Sequence, residues 1–185
     1  QLLPYLEREA AHCVAARTPL MRAMLLDHED DPAAVPLWDQ YMFGRDLLVA
    51  PVIEEGAASR TVYLPHGRWW HLFEERWYEG GRTVTAATPL HHIPVFLRAG
   101  AVLPLACHHD ARLGASMPSD PEAAKPRILL VTRFVGRTEQ AGLQLECDGT
   151  SLLLSTRASI VRPLTLVLLD PFEAIVVDGR RCSPQ

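Results

Sequence analysis

One stretch decides the fold of this chain: Asp39-Gln40-Tyr41-Met42-Phe43-Gly44-Arg45-Asp46-Leu47-Leu48-Val49-Ala50-Pro51-Val52. Before it, apolar residues recur at helical spacing or in one long run, and after it short apolar runs alternate with glycine and proline turns. This change of period near residue 46 predicts that a helical segment ends there and that an antiparallel β domain begins.

The segment before this stretch has the pattern of a helix followed by a buried strand. Apolar residues at positions 2, 3, 6, 10, 13 and 14 predict an amphipathic helix, and the apolar run at 18–27 predicts a buried parallel strand. Residues 37–43 then predict a short helix that ends at Gly44, where glycine suits a left-handed C-cap. A helix followed by a parallel strand is typical of the end of a (β/α) barrel. Because the sequence starts at Gln1 inside the first helix, we expect a chain cut from a longer protein.

The segment after this stretch has the pattern of short strands. Glycine and proline turns separate five strand-like runs at residues 47–53, 60–64, 69–73, 82–86 and 95–97. They predict an antiparallel β-sandwich over residues 46–106. Residues 107–126 have little periodicity and predict a linker or long loop, and five further strand-like runs in 127–185 predict a second small β domain, unless the best of them extend the first sandwich.

Composition excludes several classes of protein. The 185 residues are 48% hydrophobic and 22% charged, with a formal net charge of -4. No basic stripe suits a phosphate backbone, so we expect no nucleic-acid partner, and no apolar run reaches the roughly 18 to 20 residues of a membrane span. The four cysteines form no Cys-x-x-Cys pair, so we expect reduced thiols and a cytoplasmic protein: Cys13, Cys107, Cys147 and Cys182.

Six motifs resemble the C-terminal part of glycoside hydrolase family 31, the α-glucosidases and α-xylosidases. They occur in the family's order across roughly residues 1–105, and such a collinear series is more specific than any single motif. The motifs are Pro19-Leu20-Met21-Arg22, Asp30-Asp31-Pro32, the Asp39 to Val52 stretch, Tyr63-Leu64-Pro65-His66-Gly67-Arg68-Trp69, Tyr78-Glu79-Gly80-Gly81 and Ile93-Pro94-Val95-Phe96-Leu97-Arg98-Ala99-Gly100.

The resemblance implies a mainly β fold in four parts. Residues 1–45 would be the C-terminal end of a (β/α)8 catalytic barrel and residues 46–106 a proximal antiparallel β-sandwich. Residues 107–126 would be a linker or long loop, and residues 127–185 a distal β domain. The family's order of domains therefore agrees with the change of period near residue 46.

The resemblance also implies an activity that this chain lacks by itself. Family members are retaining hydrolases that use two aspartates, with carboxyl groups about 5 to 5.5 Å apart. By resemblance, both lie on earlier barrel strands, and neither motif occurs here. We therefore expect the C-terminal fragment of a retaining α-glycosidase that removes terminal α-linked glucose or xylose from oligosaccharides, inactive alone and structural in role. The oligosaccharide would bind through the missing barrel, and no cofactor or metal is expected. Homo-oligomerisation of the full-length enzyme stays open.

The acidic loop at residues 27–31 offers the candidate site residues. Glycoside chemistry needs paired carboxylates, and residues that follow a barrel strand point toward the catalytic face. A solvated loop that caps a helix is the structural interpretation of Asp27, Glu29, Asp30 and Asp31. We retain Asp27 and His28 as candidate contacts to the sugar, at the end of the last barrel strand.

Two other clusters suggest binding chemistry. The pairs His91-His92 and His108-His109-Asp110 contain metal-ligand types, but adjacent side chains on a strand point to opposite faces, so we predict no metal site. Four aromatic residues suit either a sugar-stacking platform or the core of a sandwich: Trp69, Trp70, Trp77 and Tyr78.

Two functional alternatives follow from these residues. A free-standing carbohydrate-binding β-sandwich would use the tryptophans as its surface, and a protein-interaction sandwich would expose apolar patches. The helical segment before residue 46 argues against both. Asp39 and Gln40 are expected to form hydrogen bonds that tie the short helix to the barrel.

Overall fold

The protein is described from a computed structural model covering residues 1–106, 128–140, 143–156 and 164–182. Within these ranges the chain is mainly β, with several antiparallel sheets, as the sequence predicts. The chain divides into two compact units, Arg8–Ala99 and a second unit that combines Gln1–Glu7 with Gly100–Gln185.

The unit Arg8–Ala99 contains most of helix α1 (Leu3–Ala16), the single-turn helix α2 (Met24–Asp27) and eight strands. The strands are β1 (Met21–Ala23), β2 (Tyr41–Phe43), β3 (Leu47–Val49), β4 (Ser59–Leu64), β5 (Arg68–His71), β6 (Arg76–Glu79), β7 (Arg82–Ala87) and β8 (Val95–Arg98).

Two antiparallel sheets of this unit share one core. The larger sheet has the order β1-β2-β3-β8-β5-β6, and β4 pairs with β7 in a separate ribbon. Side chains alternate between the faces of a strand, so each sheet can turn its apolar residues toward the other. The core contains Met42, Leu48, Trp69 and Phe96 from the larger sheet and Val62, Leu64 and Ala86 from the ribbon.

All five strand-like runs predicted within residues 46–106 contain strands of the structure, and the helix predicted near the N-terminus is α1. Strand β6 was not predicted, because its sequence Arg76-Trp77-Tyr78-Glu79 combines charged ends with two aromatics instead of a simple alternation.

The prediction of a buried parallel strand at residues 18–27 is wrong. Only Met21–Ala23 form a strand, and it pairs antiparallel with β2 at the edge of the sheet. Arg22 is 4% exposed while Met21 is 56% exposed, so the strand is not buried on both faces as a barrel strand would be. The apolar run then turns into α2 instead of continuing as a strand.

The prediction of a short helix at residues 37–43 is also wrong. Tyr41–Phe43 form β2, which pairs with β3 in a hairpin. Gly44 does have a left-handed backbone, with φ 61°, but it serves the hairpin turn and donates its N–H to the carbonyl of Leu20 at 2.8 Å.

A buried carboxylate fixes α1 to this hairpin. The Glu9 side chain is 0% exposed and accepts hydrogen bonds from Arg8 Nε at 2.9 Å and from the backbone N–H of Arg45 at 3.0 Å. The Arg45 guanidinium adds two contacts at 3.1 Å, and Arg8 also contacts Asp46 at 2.6 Å. The second half of α1 is thus part of the same unit as the sandwich.

The β6–β7 turn is tightly packed at Gly80. A Cβ atom at Gly80 would lie 1.9 Å from the carbonyl oxygen of Pro65 and 2.7 Å from that of Gly67. The same Pro65 oxygen accepts a hydrogen bond from the indole of Trp69 at 2.9 Å. Glycine is therefore required here by the close approach of two backbone segments.

The described residues of the other unit form eight strands in two sheets. The strands are β9 (Val102–Leu105), β10 (Ile128–Val131), β11 (Val135–Gln140), β12 (Leu143–Asp148), β13 (Ser151–Thr156), β14 (Thr165–Leu168), β15 (Ala174–Val177) and β16 (Arg180–Cys182). One sheet has the order β14-β10-β9 and the other β11-β12-β13-β15-β16. The pairs β10–β14 and β13–β15 are parallel and the remaining pairs antiparallel.

Both sheets of this unit contribute to a separate apolar core. Val102, Leu129 and Val131 come from the three-stranded sheet, and Leu145 and Leu152 come from the five-stranded one. All five runs predicted beyond residue 126 contain strands, whereas β9, β11 and β16 were not predicted. The predicted linker at 107–126 lies outside the described residues. Among the described helices, none has the length and apolar character needed to cross a membrane.

Candidate functional site

The candidate residues Asp27 and His28 lie where α2 ends. Asp27 is the last residue of α2, and His28 follows it with its backbone N–H donated to the carbonyl of Met24 at 3.0 Å. The one-turn helix therefore sets the position of both side chains. A continuous strand through Asp27, as the sequence predicted, would have placed consecutive side chains on opposite faces.

An ion pair with Arg22 orients the carboxylate of Asp27. Arg22 Nε lies 2.7 Å from Oδ2 and 3.0 Å from Oδ1 of Asp27, and 28% of the Asp27 side chain is exposed. The Arg22 guanidinium also donates to the carbonyl oxygens of Gly44 at 2.8 Å and of Pro19 at 3.3 Å. Three segments of the chain thus hold the guanidinium in place, and Asp27 retains an exposed edge that could accept hydrogen bonds from a ligand.

The surroundings of His28 lower its pKa and so favour the neutral imidazole. Burial lowers the pKa of His28 and outweighs the neighbouring carboxylates of Asp27 and Asp31, which raise it, while Arg98 lowers it further. Its Nε2 atom is buried and has no hydrogen-bond partner within the described ranges. Buried polar atoms are usually paired. A neutral imidazole offers one donor and one acceptor, so His28 has unused hydrogen-bonding capacity beside Asp27.

Asp31 has a structural role in the same loop. Its carboxylate accepts hydrogen bonds from the hydroxyl of Tyr63 at 2.8 Å and from the backbone N–H of Ala33 at 3.1 Å. Burial alone would raise the pKa of Asp31, but these two hydrogen bonds dominate and the pKa is lowered. Asp31 therefore stabilises the turn that follows it, and the predicted helix cap is wrong because no helix begins there, whereas Asp27 pairs with a guanidinium.

Asp39 and Gln40 connect to β4. The Asp39 carboxylate pairs with Arg60 at 2.7 Å. The Gln40 amide exchanges two hydrogen bonds with the backbone of Tyr63, at 2.7 Å to its carbonyl and 3.0 Å from its N–H. Both residues form hydrogen bonds, but to a sandwich strand, so the predicted link between a short helix and the barrel is wrong.

The aromatic residues do not form an open platform. Trp69 is fully buried, and its cross-strand neighbour Tyr78 packs against the same core. Trp70 and Trp77 are partly exposed and meet edge to face with ring centroids 5.4 Å apart, while the Arg68 guanidinium lies 4.3 Å from the centroid of Trp77. Arg68 therefore covers one ring face that a sugar would need.

The histidine pairs provide no metal centre within the described part of the chain. His92 stacks on Phe73 with centroids 4.1 Å apart, and His91 lies 4.3 Å from His92. No group of three or more histidine, cysteine, aspartate or glutamate residues that could hold a metal ion lies among the described residues. His108-His109-Asp110 lies outside those residues.

Sequence analysis missed Arg22 as the partner of Asp27. A single arginine inside the apolar run Leu20-Met21-Arg22-Ala23-Met24 was the available signal, since a charge in such a run is expected to be buried with a counter-ion. The unpartnered Nε2 of His28 has no sequence signal.

The comparisons with known proteins agree with the sandwich architecture and with the motifs. Residues 17–103 match the glycosyl hydrolase family 31 C-terminal domain. Together with the relatives below, this match assigns residues 17–103 to the C-terminal domain of glycoside hydrolase family 31.

Named relatives include enzymes of several specificities. An isomaltosyltransferase of Sporosarcina globispora is 35% identical over 116 residues, which are 63% of this chain and 11% of that protein. An α-xylosidase of Saccharolobus solfataricus is 37% identical over 109 residues, 57% of this chain and 14% of that protein. The crystallised cycloalternan-forming enzyme from Listeria monocytogenes, in complex with a pentasaccharide substrate, has a TM-score of 0.71 and 30% identity over 80% of this chain and 15% of that one. The chain thus spans between a tenth and a sixth of the length of these three proteins.

Proposed function

We propose that this chain is the C-terminal part of a retaining α-glycosidase that hydrolyses terminal α-linked glucose or xylose from oligosaccharides. In this proposal residues 1–45 are the end of a (β/α)8 barrel and residues 46–106 form a proximal sandwich. Residues 107–126 link the sandwich to a distal β domain at 127–185. The catalytic aspartates belong to earlier barrel strands. The match to family 31 and the names of the relatives, which include α-xylosidase and α-glucosidase 2, support the reaction and its substrate class.

The exposure pattern of β1 and α2 is the single observation that carries the proposal. Arg22 is buried, whereas Met21, Leu25 and Leu26 are 56%, 44% and 60% exposed. Neighbouring apolar side chains that point into solvent mark a surface that another domain covers. The earlier strands and helices of the proposed barrel, packed on this surface, would bury these side chains and would place Asp27 and His28 near the ends of the barrel strands, where barrel enzymes bind substrate.

In this proposal Asp27 and His28 line the sugar site without taking part in bond cleavage. Asp27 would accept hydrogen bonds from sugar hydroxyls with the oxygen edge that Arg22 leaves exposed. His28 would remain neutral and contribute hydrogen bonding. We retain a cytoplasmic location in the proposal, supported by the free thiols of Cys13, Cys147 and Cys182.

The proposal is tested by comparing the longer gene product with the 185-residue chain. We expect the longer protein to hydrolyse p-nitrophenyl α-glucoside or p-nitrophenyl α-xyloside with retention of the anomeric configuration, and the chain alone to hydrolyse neither. If the longer protein left both substrates intact, or the 185-residue chain were active by itself, the proposal would be wrong.

A further inference from the structure

A cleft of about 270 Å³ lies in the unit Arg8–Ala99, on the outer face of the β4–β7 ribbon. Ser59 and Thr61 on β4 and Thr85 on β7 line one side of it. Thr61 and Thr85 are direct cross-strand partners, so their side chains point to the same face. Val62 and Ala86, the next residues along these strands, point to the opposite face and into the core.

The other side of the cleft comes from the loop after β3 and from Asp39. Val52, Ile53 and Ala57 supply apolar surface, with Ile53 56% exposed, and Glu54 adds a carboxylate. Three separate stretches of the chain, Asp39, residues 52–61 and Thr85, thus converge on one cavity, which combines apolar walls with a few placed polar groups. This combination is typical of small-molecule sites.

Arg60 makes the cleft rigid. Its side chain is only 10% exposed, and its guanidinium donates to the carboxylate of Asp39 at 2.7 Å, to the carbonyl of Asp39 at 3.0 Å and to the carbonyl of Pro51. At the far end of the loop, Thr88 Oγ1 donates to the carbonyl of Ala57 at 2.7 Å. A site fixed in this way needs little ordering when a ligand binds.

The cleft offers unused hydrogen-bonding groups and no free positive charge. Within the described part of the chain, the side chains of Ser59, Thr61, Thr85 and Glu54 form no hydrogen bond. Hydroxyls donate and accept, and a carboxylate accepts. The only guanidinium in the lining is paired, so two carboxylates against one cation leave a net negative charge that disfavours anions such as phosphate.

We propose that this cleft is a carbohydrate subsite that binds one neutral pyranose unit, separate from the Asp27–His28 site. The hydroxyl groups of the sugar would contact Thr61, Thr85 and Glu54, and the C–H surface of the sugar ring would contact Ile53. The volume lies at the lower limit of typical ligand pockets, about 300 Å³, so it fits a single ring better than an oligosaccharide chain. The choice of a sugar rests on the proposed function, since an α-glycosidase works among oligosaccharides.

Titration of the ¹⁵N-labelled 185-residue chain with methyl α-D-glucopyranoside and with methyl α-D-xylopyranoside tests the subsite. We expect NMR chemical-shift changes confined to residues 52–61 and to β7, with a Kd on the order of 1 mM for at least one sugar. Inorganic phosphate should cause no such changes. Shifts that are absent at saturating sugar, or that centre on Trp70 and Trp77, would refute the subsite.

Two threonines on one strand provide a matched pair of variants. Thr85→Val removes one hydroxyl from the cleft and is expected to raise the Kd about fivefold, the effect of one lost hydrogen bond. Thr83→Val makes the same change on the same face of β7 but outside the cleft, and should leave the Kd within about twofold. Glu54→Gln tests the loop side without touching a strand. Equal effects of the two threonine variants would count against the subsite.

The outcome is separable from that of the proposed function. If the longer protein hydrolyses α-glycosides but the chain shows no shifts, the subsite is wrong and the function stands. If the chain binds sugar but the longer protein is inactive, the function is wrong and the subsite stands.

Discussion

Replacing Glu9 tests whether the second half of α1 belongs to the sandwich. The Glu9 carboxylate is fully buried and accepts four contacts of 2.9 to 3.1 Å, three of them from Arg45 and one from Arg8. Glu9→Ala removes all four, whereas Glu9→Gln keeps an acceptor oxygen and removes the charge. The sequence offers Glu7 as a control, because it lies on the same helix and is exposed.

The expected loss can be bounded from the burial of the partners. Removing one member of a buried ion pair generally costs about 3 to 5 kcal/mol, because the other charge is left without a partner. Here the side chains of Arg8 and Arg45 are 20% and 43% exposed, so both can regain water. We therefore expect Glu9→Ala to lower the free energy of unfolding by about 2 to 4 kcal/mol, and Glu9→Gln by about 1 to 2 kcal/mol.

Urea denaturation followed by circular dichroism measures these losses. Glu7→Ala should change the free energy of unfolding by less than about 0.5 kcal/mol. Burial raises the pKa of Glu9, but the contacts with Arg45 and Arg8 outweigh it and the pKa is lowered below its ordinary value of 4.5. The stabilisation is thus complete above that value and is lost as the pH falls below it and through the folded-state pKa, so wild type and Glu9→Gln should converge as the pH falls below 4.5. Equal losses for Glu9→Ala and Glu7→Ala would refute this account of the ion pair.

Three further predictions concern the turn, a buried histidine and the candidate site. Gly80→Ala should lower the melting temperature more than Gly56→Ala. A Cβ atom at Gly80 would collide with the Pro65 carbonyl, whereas Gly56 has a φ of 72° and open space around it. Equal shifts in melting temperature would contradict the packing described for Gly80. His71 accepts hydrogen bonds from two backbone N–H groups at 3.0 and 3.3 Å, and burial lowers its pKa. The free energy of unfolding should therefore fall as the pH drops below about 6.5. Its dependence on pH should be weaker in His71→Gln. In the longer α-glycosidase of the proposed function, Asp27→Asn should raise KM more than it lowers kcat in steady-state kinetics, and unchanged kinetics would remove Asp27 from the site.

The sandwich strands were predictable because their signals are local. Short apolar runs bounded by glycine and proline specify strand and turn within a few residues, and most of the runs became strands near the expected bounds. Residues 18–27 and 37–43 gave the wrong element because a short apolar run fits a strand and a helix equally well. Tertiary pairing of β1, β2 and β3 decided between them.

The sites were less predictable because they depend on distant segments. Asp27 was identified from its place after an apolar run, but its partner Arg22 and the buried Nε2 of His28 follow from the turn into α2. The cleft brings together three segments, Asp39, residues 52–61 and Thr85, and no spacing in the sequence encodes that convergence. Pairing across such separations is set by topology, not by local propensity.

The position of β8 determines when the larger sheet can form during synthesis. In the order β1-β2-β3-β8-β5-β6, the last strand made lies between two earlier groups and pairs with β3 on one side and β5 on the other. Until Val95–Arg98 leaves the ribosome, β1-β2-β3 and β5-β6 are two separate patches with unpaired edges, which are prone to aggregate. Chain terminations just before residue 95 should therefore be far more damaging than ones just after residue 99, although they remove only a few more residues.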